Sequence, residues 1–403
     1  MSTQNFGVFW KKTLVSLPRL VPDFVLHFTS PDGPQPIVFD IPSRGSHKIP
    51  VYVFIPPHRN AHHHQLASEG THLKEALQPN PEDDDVKLPV LIDFHGGGFV
   101  LGSCQEQAPF CAKMCRTLNC VVISVDYRLG PAAQFPAAHH DAEDAVHAVL
   151  DPSKPAYEAL RAGIRRYLKK EGRQPIMLDE EKIAISGFSS GGNLALNMAL
   201  SVKDDPMTKA DWLSAVPWDF KNRVPVLLFY PALDTRLLPH ERPKPTGWNV
   251  PKGFVERWKI EAELMPTYLP VSMSGFPRAS PGLADIKSKD DESKSGLHPK
   301  AKIFLVLPSI DTLNHQSQVW VKKVSDEGRS QDLVVEEVKD VVHGWTQFPD
   351  SWLDDESKRL KWEVFEKAAQ FVWDHWNVQG NEVDVEVTGA DKEADAPLME
   401  KKS

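Results

Sequence analysis

The sequence contains no uncharged apolar run that approaches the roughly 18 residues of a membrane-spanning helix. Its N-terminus places Lys11 and Lys12 after the first apolar residues and lacks the hydrophobic stretch of a secretory signal, so we expect none. Basic residues are outnumbered, with 46 Lys and Arg against 55 Asp and Glu and a formal net charge of −9. A surface of that sign repels phosphate backbones. The sequence therefore predicts a cytoplasmic protein with no membrane span and no nucleic-acid partner.

Cysteine is scarce and confined to one stretch of the chain. The four cysteines are Cys104, Cys111, Cys115 and Cys120, and they lack the paired CxxC spacing of a zinc ribbon. The histidines at 62–64 are consecutive, and consecutive side chains on a helix or strand do not converge on one ion. We therefore expect reduced thiols in or beside a buried segment, and neither a metal nor a cofactor.

Proline is abundant instead, at 34 of 403 residues, which favours many fixed turns over a helix bundle. The hydrophobic fraction of 41% suffices for a real core and excludes global disorder. The length allows two or three domains, or one elaborated α/β domain.

Short apolar runs alternate with helical patterns along most of the chain. Strands are predicted at 51–55, 90–94, 120–126, 182–186, 226–230, 303–307 and 333–338. Helices are predicted at 6–17, 106–118, 137–150, 157–170, 191–203, 312–327 and 355–376. This order predicts a doubly wound, mostly parallel α/β sheet.

Two segments lack an apolar period. Residues 57–88 include an acidic run at 82–85 and are predicted to form a surface insertion. Residues 379–403 carry 7 acidic and 3 basic side chains and are predicted to form a disordered acidic tail.

A candidate nucleophile stands where a predicted strand meets a predicted helix. The segment there reads Gly-Phe-Ser-Ser-Gly over 187–191, which is a GxSxG pattern in its informative context. Gly187 and Gly191 leave room for a very tight turn. Ser189 is then held in a strained conformation, with its Oγ exposed and a helix N-terminus beneath it.

A serine needs a base, and after such a turn the acid and then the histidine follow in the sequence. The histidines downstream are His240, His298, His315, His343 and His375. The first two fall in Pro- and Lys-rich loops, and the last ends a predicted helix. His343 comes just after the final predicted strand, at the edge where a base is required. We therefore predict His343 as the base.

The acid is expected just after the preceding strand, where it would accept the Nδ1 proton and stabilise the imidazolium. Asp311 has this position after the run 303–307. Asp340 and Asp234 are rivals, but Asp340 is only three residues from His343 and so belongs to the same loop. We favour Asp311.

The oxyanion of a tetrahedral intermediate needs backbone N–H donors. Three glycines, 96–98, follow the predicted strand 90–94 and allow the backbone to approach a bound acyl group. A phosphate loop is the rival reading, but the GxxxxGK[ST] pattern is absent. We predict N–H donors in this loop and at Ser190, which follows the nucleophile.

These residues stand in a set of motifs that resembles the hormone-sensitive-lipase-like family of α/β-hydrolases, which includes arylacetamide deacetylases and many bacterial esterases. The motifs run in family order from about residue 88 to 376. They are HGGGF at 95–99, DYRLGP at 126–131, FPA at 135–137, GFSSGGN at 187–193, YP at 230–231, SP at 280–281, DTL at 311–313 and HG at 343–344.

The resemblance implies an α/β-hydrolase fold with a helical cap, and it implies a role for each site residue. Ser189 is implied as nucleophile, Asp311 as acid and His343 as base. The N–H groups of Gly97, Gly98 and Ser190 are implied as the oxyanion hole. His95 and the segment 127–128 are implied as supports of that loop.

The chain departs from the family pattern at several positions. Phe188 replaces the acidic residue that normally precedes the nucleophile, so the local support must differ. Ser190 replaces the usual alanine, but its N–H is unchanged. Thr312, Asn314 and His315 stand where proline and acidic residues usually follow the catalytic aspartate.

The resemblance also implies the domain plan. We expect an N-terminal cap segment at 1–45, a hydrolase domain at 46–378 and a cap insertion at 236–275 that is rich in aromatic residues. The predicted function is hydrolysis of small to medium apolar carboxylic esters through an acyl-enzyme.

Two alternatives stay open: a deacetylase, lactonase or amidase dedicated to one metabolite and, in another class, a non-catalytic small-molecule receptor on the same fold that has lost the base. The predicted partner is a small-molecule ester, and a homodimer is left open.

Overall fold

The structure, a computed structural model, describes residues 33–57, 86–246, 248, 260–287 and 294–377. The strands of this part are β1 (Ile37–Pro42), β2 (Lys48–Phe54), β3 (Val86–Phe94), β4 (Val121–Val125), β5 (Ile176–Phe188), β6 (Leu200–Ser201), β7 (Val224–Phe229), β8 (Gly296–Leu297), β9 (Ala301–Ile310) and β10 (Leu333–Val342). Its α-helices are α1 (Ala108–Leu118), α2 (Ala137–Leu150), α3 (Pro155–Lys170), α4 (Ser190–Met198), α5 (Ile260–Tyr268), α6 (Asn314–Asp326) and α7 (Asp355–Trp376).

The main sheet is parallel at its centre and antiparallel at one edge. Among the described strands, eight form this sheet in the order β1-β2-β4-β3-β5-β7-β9-β10. Strand β2 pairs antiparallel with β1 and β4, and the other pairings are parallel. Every residue of β4 and β7 is buried, which is why these segments are apolar without alternation. The predicted doubly wound, mostly parallel α/β sheet is confirmed.

Helices cover both faces of the sheet. On one face α1 and α7 pack around a core that includes Phe110, Phe229 and Phe365. On the other face, apolar residues of α2, α3 and α4 pack against the sheet, among them Leu160 and Leu196. The sheet is therefore sealed between two helical layers, and the positions left for chemistry are the loops at its edges.

The carboxyl ends of the central parallel strands meet at one edge of the sheet. There β3 ends at Phe94, β5 at Phe188, β7 at Phe229, β9 at Ile310 and β10 at Val342. In an open α/β sheet the crevice beyond these ends is where ligands bind. The predicted site residues all follow one of these strand ends.

Several predicted boundaries differ from the structure, and three of these differences change how a segment is assigned. Strand β1 falls within the predicted N-terminal cap, 1–45, but it is the edge strand of the sheet, where Phe39 packs on Gly163 of α3. Strand β3 begins inside the predicted insertion, 57–88, because its first three residues pair with the start of β5. The helix predicted at 191–203 ends at Met198, after which β6 pairs with β8.

Other predictions fall outside the described residues: the helix at 6–17, the histidines at 62–64, most of the insertion, part of the 236–275 segment and the tail at 379–403. All four cysteines are buried, as expected, and none of these described thiols forms a disulfide. No helix in the described ranges is both long and apolar enough to cross a membrane.

Candidate active site

Ser189 sits on a turn that only glycine neighbours permit. Its φ of 53° and ψ of −112° are rare for a non-glycine residue, and strain of this kind is typical of functional sites. A Cβ on Gly187 would lie 2.0 Å from the Gly191 carbonyl oxygen, and a Cβ on Gly191 would lie 2.0 Å from that of Phe94. The Ser189 N–H donates to the Phe229 carbonyl at 2.9 Å, which ties the turn to the end of β7.

In the structure, the His343 imidazole lies between the Ser189 hydroxyl and the Asp311 carboxylate. His343 Nε2 lies 3.0 Å from Ser189 Oγ, and His343 Nδ1 lies 2.7 Å from Asp311 Oδ2. The other oxygen of Asp311 accepts the Leu313 N–H at 2.8 Å, which fixes the carboxylate. Asp311 is buried, whereas the His343 side chain is 36% exposed. With Nδ1 protonated toward Asp311, Nε2 is the nitrogen that can accept the serine proton.

The contacts that the structure shows for the two rival aspartates are with residues other than His343. Asp340 is exposed beside the irregularity between Val338 and Val342, and its N–H is bound to Ser309 Oγ. Asp234 forms an ion pair with Arg236, with oxygen–nitrogen distances from 2.6 to 3.1 Å. Asp311 is thus the predicted acid that the structure places on the imidazole.

The glycine-rich loop after β3 is folded so tightly that side chains are excluded from it. Gly97 and Gly98 have φ values of 121° and 62°, and a Cβ on Gly97 would lie 2.2 Å from the Leu101 carbonyl oxygen. That close approach arises because the Leu101 N–H donates back to Gly97 O at 2.8 Å. The N–H groups of Gly97, Gly98 and Ser190 have no acceptor within the described part of the chain, so they are available to a ligand.

His95 and Tyr127 hold this loop from below. The Tyr127 hydroxyl donates to the His95 carbonyl at 2.7 Å, and the two rings stack at 4.2 Å. His95 Nδ1 contacts the Gly96 carbonyl at 2.7 Å. Next to Tyr127, Arg128 forms a multidentate pair with the buried Asp141. These contacts match the supporting role expected for this segment.

Comparison with known proteins identifies the family. The family model described as an alpha/beta hydrolase fold matches residues 91–347, a span that contains the whole Ser189–His343–Asp311 arrangement. The chain belongs to this family.

Among curated relatives of this α/β-hydrolase, "Probable carboxylesterase 8" of Arabidopsis thaliana is 38% identical over 135 residues, 33% of this chain and 38% of that protein. A 3-O-acetylpapaveroxine carboxylesterase of Papaver somniferum is 39% identical over 115 residues, 28% of this chain and 34% of its own. Arylacetamide deacetylase-like 2 of Homo sapiens is 35% identical over 127 residues, 31% and 27% of the two chains. The alignments therefore cover about a third of the relatives' lengths.

Solved structures agree with the fold. The hyperthermophilic esterase from Pyrobaculum calidifontis has a TM-score of 0.53 and 23% identity, and the match covers 92% of each chain. The esterase LipW from Mycobacterium marinum gives a TM-score of 0.54 at 16% identity, with 92% of this chain and 90% of that one covered. At these identities the likeness concerns the α/β-hydrolase fold alone.

Asp93 is a buried carboxyl that sequence reasoning missed. It lies at the end of β3, two residues before His95, and is fully buried. Ser186 Oγ and Ser124 Oγ donate to it at 2.7 and 3.0 Å, and Cys111 Sγ lies 3.5 Å away. Burial raises the pKa of Asp93 to about 6. The available signal was an acidic residue inside an otherwise apolar strand.

Phe188 shows how this α/β-hydrolase replaces the usual acidic residue before the nucleophile. Its ring is fully buried and stacks on Phe229 at 4.3 Å, with Phe110 edge-on at 5.0 Å. Phe365 of α7 packs edge-on against both Phe110 and Phe229. The side chain directly before the nucleophile is therefore held by aromatic packing. This is the different local support expected once an acidic residue is replaced by Phe188.

The described part of the 236–275 segment packs over the glycine-rich loop. Tyr268 of α5 stacks on Phe99 at 4.8 Å, and its carbonyl accepts the Phe135 N–H at 2.8 Å. One turn earlier, the Met265 side chain lies 3.5 Å from where a Cβ on Gly98 would be. Beside it is a pocket of about 300 Å³ including its open mouth, lined by Thr235, Arg236, Leu238, Met265, Pro266, Leu269, Val271 and Ser274.

Proposed function

We propose that the protein is a serine hydrolase of carboxylic esters that works through a covalent acyl-enzyme. The observation that carries the proposal is the continuous hydrogen-bonded line from Asp311 through His343 to Ser189 Oγ. A buried carboxylate, an imidazole and a serine on a strained turn form the arrangement that activates a serine nucleophile.

In the proposed reaction, Ser189 Oγ attacks the ester carbonyl carbon while His343 Nε2 takes its proton. Asp311 keeps the Nδ1 proton in place and stabilises the imidazolium. The N–H groups of Gly97, Gly98 and Ser190 receive the oxyanion. His343 then returns the proton to the leaving alcohol oxygen as the carbon–oxygen bond breaks, and a water activated by the same imidazole releases the acid.

The pocket beside Met265 supports small to medium, largely apolar substrates. Most of its lining side chains are apolar, among them Leu238, Leu269 and Val271, which is typical of a pocket that binds an apolar group. We propose that residues 236–275 act as the cap that forms this pocket, with the hydrolase domain beneath them. A receptor that has lost the base is disfavoured, because His343 is present and within hydrogen-bond distance of Ser189.

The proposal is tested with a fluorophosphonate probe and p-nitrophenyl esters of increasing acyl length, with a lactone and an anilide as further substrates. Ser189→Ala is expected to abolish labelling and ester hydrolysis, whereas Ser153→Ala, at an exposed loop serine, keeps both. Stoichiometric labelling of the Ser189→Ala protein would move the nucleophile elsewhere. Faster turnover of the lactone or the anilide would instead favour the lactonase or amidase alternative.

A further inference from the structure

Tyr230 directly follows β7 and contacts the loop that carries His343. Its ring is fully buried and meets the His343 imidazole at 4.8 Å between centroids, with the planes inclined by 65°. Its hydroxyl is hydrogen-bonded to Thr346 Oγ1, three residues beyond the histidine. Trp345, which lies between His343 and Thr346 in the sequence, also packs against the Tyr230 ring, with 5.6 Å between ring centroids. One side chain thus touches the imidazole and the segment that follows it.

The backbone of Tyr230 is bound just as firmly on the nucleophile side. Its N–H donates to the Val306 carbonyl at 2.8 Å, and the preceding carbonyl, of Phe229, accepts the Ser189 N–H at 2.9 Å. The φ of Tyr230 is 39°, in the left-handed region that a bulky residue rarely adopts. A strained residue that two neighbouring strands hold in place is a candidate for a functional role.

The hydroxyl of Tyr230 stays protonated and is able to donate. Burial, with a smaller contribution from the nearby Asp311 and Glu106 carboxylates, raises the pKa of Tyr230 well above its ordinary value. The bond to Thr346 is therefore a neutral one, inside the buried layer under His343. Of these two carboxylates, Asp311 is the one that contacts the imidazole.

We propose that Tyr230 is a positioning residue that holds the His343 imidazole in line between Asp311 and Ser189. This rests on the proposed function, in which His343 is the base. The His343 side chain is 36% exposed, and the Asp311 bond holds it only at Nδ1. The Tyr230 ring closes the buried side, and its bond to Thr346 fixes the loop, so that the imidazole cannot turn away from Ser189 Oγ.

Three substitutions separate the two contacts. Tyr230→Leu removes both the ring and the hydroxyl, and it is expected to lower kcat about tenfold or more, since small displacements of a reacting group are costly. KM is expected to stay within about twofold, because substrate binding is not touched. Tyr230→Phe and Thr346→Val each lose only the hydroxyl contact and are expected to fall between Tyr230→Leu and the natural protein.

The double variant of Tyr230→Phe and Thr346→Val tests the hydrogen bond itself. Thr346→Val leaves a buried phenol without its partner, whereas the double variant removes both polar groups together. We expect the double variant to be no slower than Thr346→Val alone. Additive losses in the double variant would show that the two groups act independently and would overturn this part of the proposal.

Phe371→Leu is the matched control for lost packing. Phe371 is buried on α7, and its ring packs on Phe304 and His375. It is expected to lower the midpoint of thermal unfolding as Tyr230→Leu does, without lowering kcat. Equal kcat losses in the two variants would reduce Tyr230 to a packing residue.

A readout without substrate separates this proposal from the proposed function. The Nδ1 proton of His343, hydrogen-bonded to the Asp311 carboxylate, is expected to give a far-downfield proton NMR signal. Tyr230→Leu should shift or broaden that signal, and Phe371→Leu should not. An unchanged signal in Tyr230→Leu overturns the positioning role. If the natural protein hydrolyses no ester, the proposed function fails, while the NMR comparison still decides the role of Tyr230.

Discussion

His343 Nε2 lies 3.0 Å from Ser189 Oγ, although 154 residues of sequence separate them. The two residues follow different strands of one sheet, β5 and β10, which are themselves separated by β7 and β9. The contact therefore depends on the register of the intervening strand pairings. Asp311 follows β9, one of these intervening strands, and its carboxylate binds the other nitrogen of the His343 imidazole.

The acid is the first test of this arrangement. Asp311→Asn is expected to lower kcat by about 10³–10⁴, because the imidazole loses the partner that fixes its tautomer. Asp340→Asn is the matched control, since Asp340 is an exposed aspartate of β10, three residues before His343. Steady-state kinetics on one p-nitrophenyl ester decide the matter. A greater loss in Asp340→Asn would assign the acid to Asp340.

Asp93 predicts an unusual pH dependence of stability. Its pKa is raised to about 6 by burial, from an ordinary 3.8, so the folded state holds the ionised carboxyl poorly. The destabilisation is absent below about pH 4, where folded and unfolded chains are both protonated, grows as the pH rises toward 6, and is complete above it. Asp93→Asn is therefore expected to raise the free energy of unfolding at pH 8 by about 1–3 kcal/mol.

Urea unfolding of the natural protein and of Asp93→Asn at pH 8 and at pH 4.5 measures this difference. The gain should be largest at pH 8 and small at pH 4.5. A gain of the same size at both pH values would mean that packing, and not ionisation, is responsible.

The aromatic cluster beneath the nucleophile predicts the outcome of placing an acid directly before Ser189. Phe188→Asp would place a carboxylate among Phe110, Phe229 and Tyr230. We expect a loss of more than about 3 kcal/mol in the free energy of unfolding, because the charge is buried without a partner. Phe188→Leu, which keeps the site apolar, should cost about 1–2 kcal/mol. Comparable losses in the two variants, measured by urea unfolding, would contradict the explanation.

Met265 is expected to limit acyl length, because it lies against Gly98 and also lines the pocket. Met265→Ala would join the pocket to the space beside Gly98. The ratio of kcat/KM for an octanoyl ester to kcat/KM for a butyryl ester should then rise by about tenfold, which is the scale of methylene discrimination in apolar pockets. Met273→Ala is the control, since Met273 is a partly buried methionine outside the pocket lining. The same profile in both variants would remove Met265 from the acyl site.

The sequence alone was sufficient to predict those site residues that a local pattern reveals. Ser189 and the glycine-rich loop are recognisable because glycines must stand at fixed distances from the functional atoms, and the structure shows the close approaches that exclude any Cβ. Asp311 was predicted because it follows a continuous apolar run, which marks a buried parallel strand. His343 was predicted because it follows the last strand in the sequence.

Other features depend on contacts between distant segments. The buried carboxylate of Asp93 accepts hydrogen bonds from Ser124 and Ser186, which lie on two other strands. No local sequence pattern reveals these partners. The half-exposed β1 was mistaken for cap because its burial depends on Phe39 packing against Gly163 of α3. The importance of Tyr230 is likewise visible only once its ring is placed beside His343.

The distribution of site groups over separate strands has a consequence for folding. Each of the glycine-rich loop, Ser189, Asp311 and His343 follows a different strand, and no two of these strands are joined by a hairpin. Such a site has high contact order, and no fragment or early folding species can contain it. Recovery of probe labelling during refolding should therefore trail the recovery of helical circular dichroism, and it reports on completion of the whole parallel sheet.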